Sequence, residues 1–401
     1  MWLAGWAARR EPALGKAMEL FVKALALEDA EGQRVVIVTA DLLAIPRALA
    51  MAVVAKAQSR WGLPREALLF NASHTHTAPE VRPDKVPFFE IPAQYAGKIE
   101  PYVLELEEKI TAAMGAAMSN LQPARLSVRQ TQVPFPQNRR PLGGPIDPAV
   151  PILEVASLHG QPIAVLFGLA CHSLTLPPVF CQYHGDYPGV AASLLERAFP
   201  GAKALFLAGA GADQNPSPRG TLELAEQHGH TLAAAIQNAL SQPVRPIPSV
   251  LRSAFEEVSL DFMPLPSPEA LAADVNADDP PRQRKAKFLL AALAEKRPFP
   301  ATYPCPVQVL QFGGELLLIA LGGEPPVDYA LQFKAEFAGP LVWVAGYSND
   351  VFGYLSNRRL SQEGGYEGGR SLFWSALPGP FTEAVEERVV QTVRRLVAQV
   401  K

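Results

Sequence analysis

Cysteine is scarce in this 401-residue chain: there are three, too few for a disulfide framework and in keeping with a compartment where disulfides are not used. An excess of charge of one sign is also missing. Lysine and arginine number 36 against 39 aspartates and glutamates, a net charge of −3, which does not describe a binder of nucleic acid or anionic membrane. No stretch approaches the roughly 18 uncharged apolar residues of a membrane span, and the longest apolar runs, such as Leu316–Leu321, have strand length. The opening, MWLAGWAARREPALGK, lacks an apolar core of signal-peptide length. These absences lead us to expect a soluble, cytoplasmic protein. The abrupt start on Trp2-Leu3-Ala4-Gly5-Trp6 leaves room for a missing upstream segment. Internal repeats and low-complexity blocks are lacking too.

Apolar residues make up 48% of the chain, enough for a sizeable core, so a disordered or fibrous chain is excluded. The 39 prolines punctuate loops and helix starts without forming PxxP arrays. Strand-like runs are Arg34–Leu43, Ala67–Thr75, Arg125–Val133, Ile152–Leu158, Pro162–Cys171, Ala204–Ala208, Val250–Phe262, Val307–Leu321 and Leu341–Ala345. Helical spacing of apolar residues covers Pro46–Gln58, Ala93–Ser119, Gly189–Ala198, Leu222–Leu240, Pro268–Glu295 and Pro380–Val400. Their alternation predicts an α/β fold with mixed sheets covered by helices. We expect one large domain over residues 1–401. Residues 263–303, polar and bounded by proline, read as a helical insertion or lid within it.

The sharpest local signal is Asn71-Ala72-Ser73-His74-Thr75-His76-Thr77-Ala78-Pro79. On an extended chain, residues two apart share a face, so His74 and His76 would point the same way. Two such imidazoles can share a metal, or one can bind it while the other serves as a base. The pattern is equally compatible with a polar strand-to-loop turn. His172, in Leu169-Ala170-Cys171-His172-Ser173, would sit at the tip of a second strand, and alone it reads as a hydrogen-bonded structural histidine. His184 and Asp186 follow in a turn that feeds a helix, as ligands, base partners or caps. Gly209-Ala210-Gly211-Ala212-Asp213-Gln214-Asn215-Pro216 departs from GxGxxG and has no following lysine, so nucleotide binding is discounted. Its small residues suit close backbone approach to a bound group. Gly323-Glu324 places a carboxylate after a buried strand. Tyr347, Tyr354 and Tyr366 lie in glycine-rich surroundings.

In order along the chain, these segments resemble the neutral (non-lysosomal) ceramidase family. Ser73-His74-Thr75-His76 with Pro79 is similar to its THTHSGP-type motif, and Asn138-Arg139-Arg140-Pro141 to its NRSP segment. Ala170-Cys171-His172 and Gly185-Asp186 resemble its second histidine motif and the SGD turn. Gly323-Glu324 resembles its PGE motif. Gly346-Tyr347-Ser348-Asn349, Tyr354 and Tyr366-Glu367-Gly368 match its tyrosine block. The resemblance implies a catalytic domain that holds Zn2+ through His74, His172, Glu324 and Tyr354 and hydrolyses an amide of a small N-acyl compound by zinc-bound hydroxide. It further implies a catalytic role for His76, with Asp213 and Asn215 in the active loop, and substrate contacts from Arg139 and Tyr366. An ester or lactone hydrolase, or a non-catalytic metal-stabilised binding protein, is the alternative. Two departures stand out. Asn215 occupies the place of a family serine. The secretion signal and C-terminal β-sandwich of longer members are not expected here. Both point away from long-chain ceramide, towards a more soluble N-acyl substrate.

Overall fold

The computed structural model describes residues 1–141, 143–244 and 246–401. Three mixed sheets share one interior, as the alternation of strands and helices predicted. In the first, Val22–Glu28 runs antiparallel to Arg34–Ala40, which runs parallel to Leu68–Ala72. The second orders Ala124–Gln132, Ala149–Ser157, Pro162–Leu169 and Lys203–Ala208, with only the last pair parallel. The third repeats that arrangement with Leu251–Asp261, Thr302–Phe312, Leu316–Leu321 and Leu341–Ala345.

Leu69, Ile37, Leu166, Leu207, Leu318 and Trp343, drawn from all three sheets, form one buried cluster. Each sheet therefore turns one face to the other two. The opposite faces are covered by helices: Arg47–Trp61 and Ile99–Ser119 on the first, Asp186–Ala198 and Leu222–Leu240 on the second, Val327–Glu336 and Ala384–Val400 on the third. Strands buried on both faces read as continuous apolar runs, which is why Leu316–Leu321 is apolar throughout.

The boundaries differ from expectation in particular places. The run from 307 to 321 is two strands, because Gly313 and Gly314, both at positive φ, reverse the chain between them. The run from 93 to 119 is a short turn, Ala93–Ala96, followed by Ile99–Ser119. The 263–303 segment is helical as expected, with Pro268–Asp274 and Pro280–Ala294 enclosing a small core of Leu271, Ala286 and Leu289. It joins two adjacent strands of the third sheet. Among the described residues, no helix is long and apolar enough to cross a membrane.

Asn71 ties the sheets together at one end. Its side-chain amide donates to the Gly346 carbonyl at 2.7 Å and accepts from the Ala208 backbone N–H at 2.8 Å. Residue pairs Asn71–Ser348 and Gly209–Ala345 bridge the same ends. Chain segments leaving Ala72, Leu169, Ala208, Leu321 and Ala345 consequently emerge beside one another. This is the carboxyl end of the parallel strand pairs, where crevices form in α/β sheets.

Candidate metal centre

His74, His172 and Glu324 lie two to three residues beyond three of these strand ends. His74 is buried at φ 60°, in the left-handed region. The strand stops at Ala72, so alternation along an extended chain is not what brings His74 and His76 together. Backbone contacts do so instead: the His74 N–H donates to Leu42 O at 2.9 Å, and the turn that follows swings His76 back. A non-glycine residue held in this region marks a site whose surroundings overdetermine it.

The His74 Nδ1 hydrogen-bonds the Leu43 carbonyl at 2.7 Å. That contact fixes the tautomer, with the proton on Nδ1 and the Nε2 lone pair facing inward. His172 is turned the same way, with Nδ1 3.3 Å from Gly211 O and 3.4 Å from the Tyr347 hydroxyl. Both Nε2 atoms converge on Glu324 Oε2, at 3.4 Å for His74 and 3.6 Å for His172. Two ligands held 2.0–2.2 Å from a tetrahedral zinc lie about 3.3–3.5 Å apart, close to the spacing of Glu324 Oε2 from each imidazole nitrogen. Glu324 Oε2 is buried without a hydrogen-bond partner, which suits a metal ligand. The residues present fit a zinc ion.

His76 completes the cluster. Nitrogens of His74, His76 and His172 all lie within 4.8 Å of one another, and the His76 ring centre is 5.0 Å from that of His74. Both His76 nitrogens are buried and unpaired. The ring is held by the N-terminal segment. A side chain at Gly5, itself at φ 92°, would strike His76 Nδ1 at 2.3 Å, and Trp6 packs 5.6 Å away. Nothing in the sequence pattern pointed to these first residues.

Burial lowers His74 to a pKa of about 3, with Glu324 opposing the shift. Burial also lowers His172 and takes His76 well below its ordinary value. The imidazoles are therefore neutral near pH 7, the form that ligates metal. Burial works against ionising Glu324, and the positive charge of Arg139 favours its carboxylate form, with a pKa below the usual range.

Tyr354 and Tyr366 line the same cavity as His74, His76 and Glu324. The Tyr354 backbone bridges Glu324, and its hydroxyl accepts a hydrogen bond from Arg139 at 2.7 Å. Arg139 also donates to Glu367 at 2.7 Å and to Asn215 at 3.3 Å. It thus connects the tyrosine block to the loop after Ala208. Asp213 sits behind the centre, fully buried. It accepts from the Val327 backbone N–H at 2.8 Å, from Asn138 at 2.8 Å and from Arg359 at 3.2 Å.

The glycines of this loop approach the chain's own backbone: a Cβ on Gly211 would lie 2.3 Å from the carbonyl carbon of Ala170, two residues before His172. His184 and Asp186 do not reach the cluster. The Asp186 N–H donates to His184 Nδ1, and its carboxylate accepts from the backbone of Thr175, Leu176 and Tyr187. The sequence motifs missed Arg82, Lys85 and Trp374, which line the cavity. They also gave no role to the Tyr347 ring, 4.4 Å from His74.

No protein-family model matches the sequence, and no curated protein is detectably similar to it. Solved structures are similar. Neutral ceramidase from Pseudomonas aeruginosa superposes with a TM-score of 0.74 at 20% identity, over 98% of this chain and 72% of that one. A ceramidase complexed with C2 gives 0.74 at 21% identity, over 98% and 73%. At such identity the likeness speaks for the fold, and it bears out the architecture that the motif resemblance implied: this chain is folded as neutral ceramidase is, over nearly its whole length.

Proposed function

We propose that this protein is a zinc-dependent hydrolase of an amide bond in a small N-acyl compound. One observation carries the reading: Glu324 Oε2 lies 3.4 and 3.6 Å from imidazole nitrogens whose rings are fixed from behind. The ceramidase fold supports it. His74, His172 and Glu324 would hold the metal, with Tyr354 as the fourth ligand. When bound, zinc acts as a Lewis acid and lowers the pKa of water to about 7.

The chain's own residues perform the remaining work. His76, neutral and unpaired, accepts the proton released as water adds to the amide carbon and returns it to the departing amine nitrogen. Arg139 holds the Tyr354 oxygen through its hydrogen bond and keeps positive charge beside it. Tyr366, half exposed at the cavity wall, contacts substrate. Asp213 acts from behind, by holding the start of the Val327–Glu336 helix close to Glu324. Asn215 is anchored by Arg139 in the place of the family serine.

A panel of N-acyl amides and matching esters, assayed with and without chelator, tests the reading. Chelator-sensitive release of amine is expected. Turnover of esters alone would make the protein an esterase or lactonase on the same site. No chelator-sensitive turnover on either class would leave a metal-stabilised binding protein.

A further inference from the structure

The cavity beside the histidines has an unusual wall. Arg82 and Lys85 follow the His74–His76 turn closely, and both line the cavity. Arg82 is neutralised in place. Its Nε and Nη2 donate to the two carboxylate oxygens of buried Glu80 at 2.7 and 2.8 Å. Lys85 is not. It is buried, and the nearest carboxylate oxygen belongs to its neighbour Asp84, at 3.6 Å, beyond hydrogen-bond distance and on a side chain 51% exposed to solvent. The ammonium therefore has no carboxylate within hydrogen-bond distance among the described residues.

A second group shares this condition independently. Trp374 lines the same cavity, and its indole N–H is buried with no acceptor among the described residues. Ammonium and indole are donors only. Two donor-only groups without acceptors among the described residues, lining one cavity, suit a ligand group that only accepts: a carboxylate. Size points the same way. The cavity holds about 70 Å³, whereas pockets for drug-sized ligands run to roughly 300–1,000 Å³. That volume suits a small polar head group, and Tyr366, at the cavity wall, is exposed to solvent.

We propose that Lys85, assisted by the Trp374 N–H, receives a carboxylate on the amine portion of the substrate, so that the compounds hydrolysed are N-acyl amino acids. This rests on the amide-hydrolase reading above. The reaction is balanced with water alone. The amide C–N bond breaks and a C–O bond forms to the acyl carbon. The proton from water goes to the nitrogen, releasing a carboxylic acid and a free amino acid. Recognition of charge rather than of hydroxyl groups separates this substrate class from ceramide.

Two measurements test it separately from turnover. The first is kcat/KM on N-hexanoylglycine against its uncharged counterpart N-hexanoylglycinamide. The wild type should favour the acid by about ten- to a hundredfold, the usual worth of a charge-assisted hydrogen bond in a buried site. Lys85→Met should bring the ratio towards one, and Lys85→Arg should restore part of it. Equal rates in the wild type, or a preference unchanged in Lys85→Met, would overturn the proposal.

The second is calorimetric titration of N-hexanoylglycine onto the metal-free protein, where the metal cannot attract the carboxylate. Binding should weaken at least about tenfold in Lys85→Met, with the far-UV spectrum unchanged. Absence of binding to the wild type, or equal binding to both, overturns the proposal whatever the enzyme turns over. Binding that depends on Lys85, without turnover of any amide, would uphold the carboxylate site and reject the hydrolase reading.

Discussion

His76 is the residue whose surroundings separate chemistry from metal retention. Its nitrogens are unpaired, while those of His74 and His172 are tied from behind and aimed at Glu324. His76→Ala should keep its zinc and lose about 10²–10⁴ in kcat, the usual contribution of a positioned acid or base. Metal analysis beside the kinetics checks this, and loss of the ion would make His76 a ligand.

A different effect is expected at Asp350. Burial pushes its pKa up to about 6, with the Tyr303 hydroxyl and Arg47 opposing the rise. A carboxyl group raised in the folded state binds more protons there than in the unfolded chain. Its contribution to stability is therefore present at low pH and lost as pH rises from near 4 to about 6. Asp350→Asn should gain up to about 3 kcal/mol over the wild type across that window, read as a Tm difference that widens with pH. A difference that does not change with pH would contradict the assignment.

At the scale of elements, local sequence was informative where one signal dominated. Leu222–Leu240 and Leu341–Ala345 have the boundaries that periodicity and flanking residues predicted. Val22–Glu28 was missed because it is half-buried and carries Lys23 within a short run. The 327–336 helix was missed because Pro325-Pro326 reads as loop, although proline before a helix start is favourable. The insertion at 263–303 shows how an element reaches the site without contributing a ligand. Lys285, on its second helix, donates to the Ser375 carbonyl at 2.7 Å and to that of Leu377, and Ser375 lines the cavity. Lys285→Met should loosen this attachment. Hydrogen exchange is expected to rise across residues 263–303 and 370–377 while the three sheets keep their protection. Unchanged exchange in both segments would mean that Lys285 does not hold them.

Across the whole molecule, His74, His172 and Glu324 were legible because each stands just beyond a strand end in a short motif, and Tyr354 because it lies in a glycine-rich tyrosine stretch. Their convergence was not legible from residue patterns alone. It depends on three sheets meeting at Asn71, Gly209 and Ala345, which are 138 and 136 residues apart in sequence. Only the resemblance to neutral ceramidases placed those segments in one site, and the fold agrees with it. The basic wall of Arg82 and Lys85 escaped notice for the opposite reason. Charged residues in a proline-bounded loop look solvated, and only the folded structure shows Lys85 buried and both side chains lining the cavity.

Elemental analysis of the protein purified without a histidine tag asks whether these strand ends hold a metal ion. One zinc per chain is expected in the wild type, and loss of that zinc in His74→Ala and Glu324→Ala. A stoichiometry well below one, unchanged by either substitution, would contradict it.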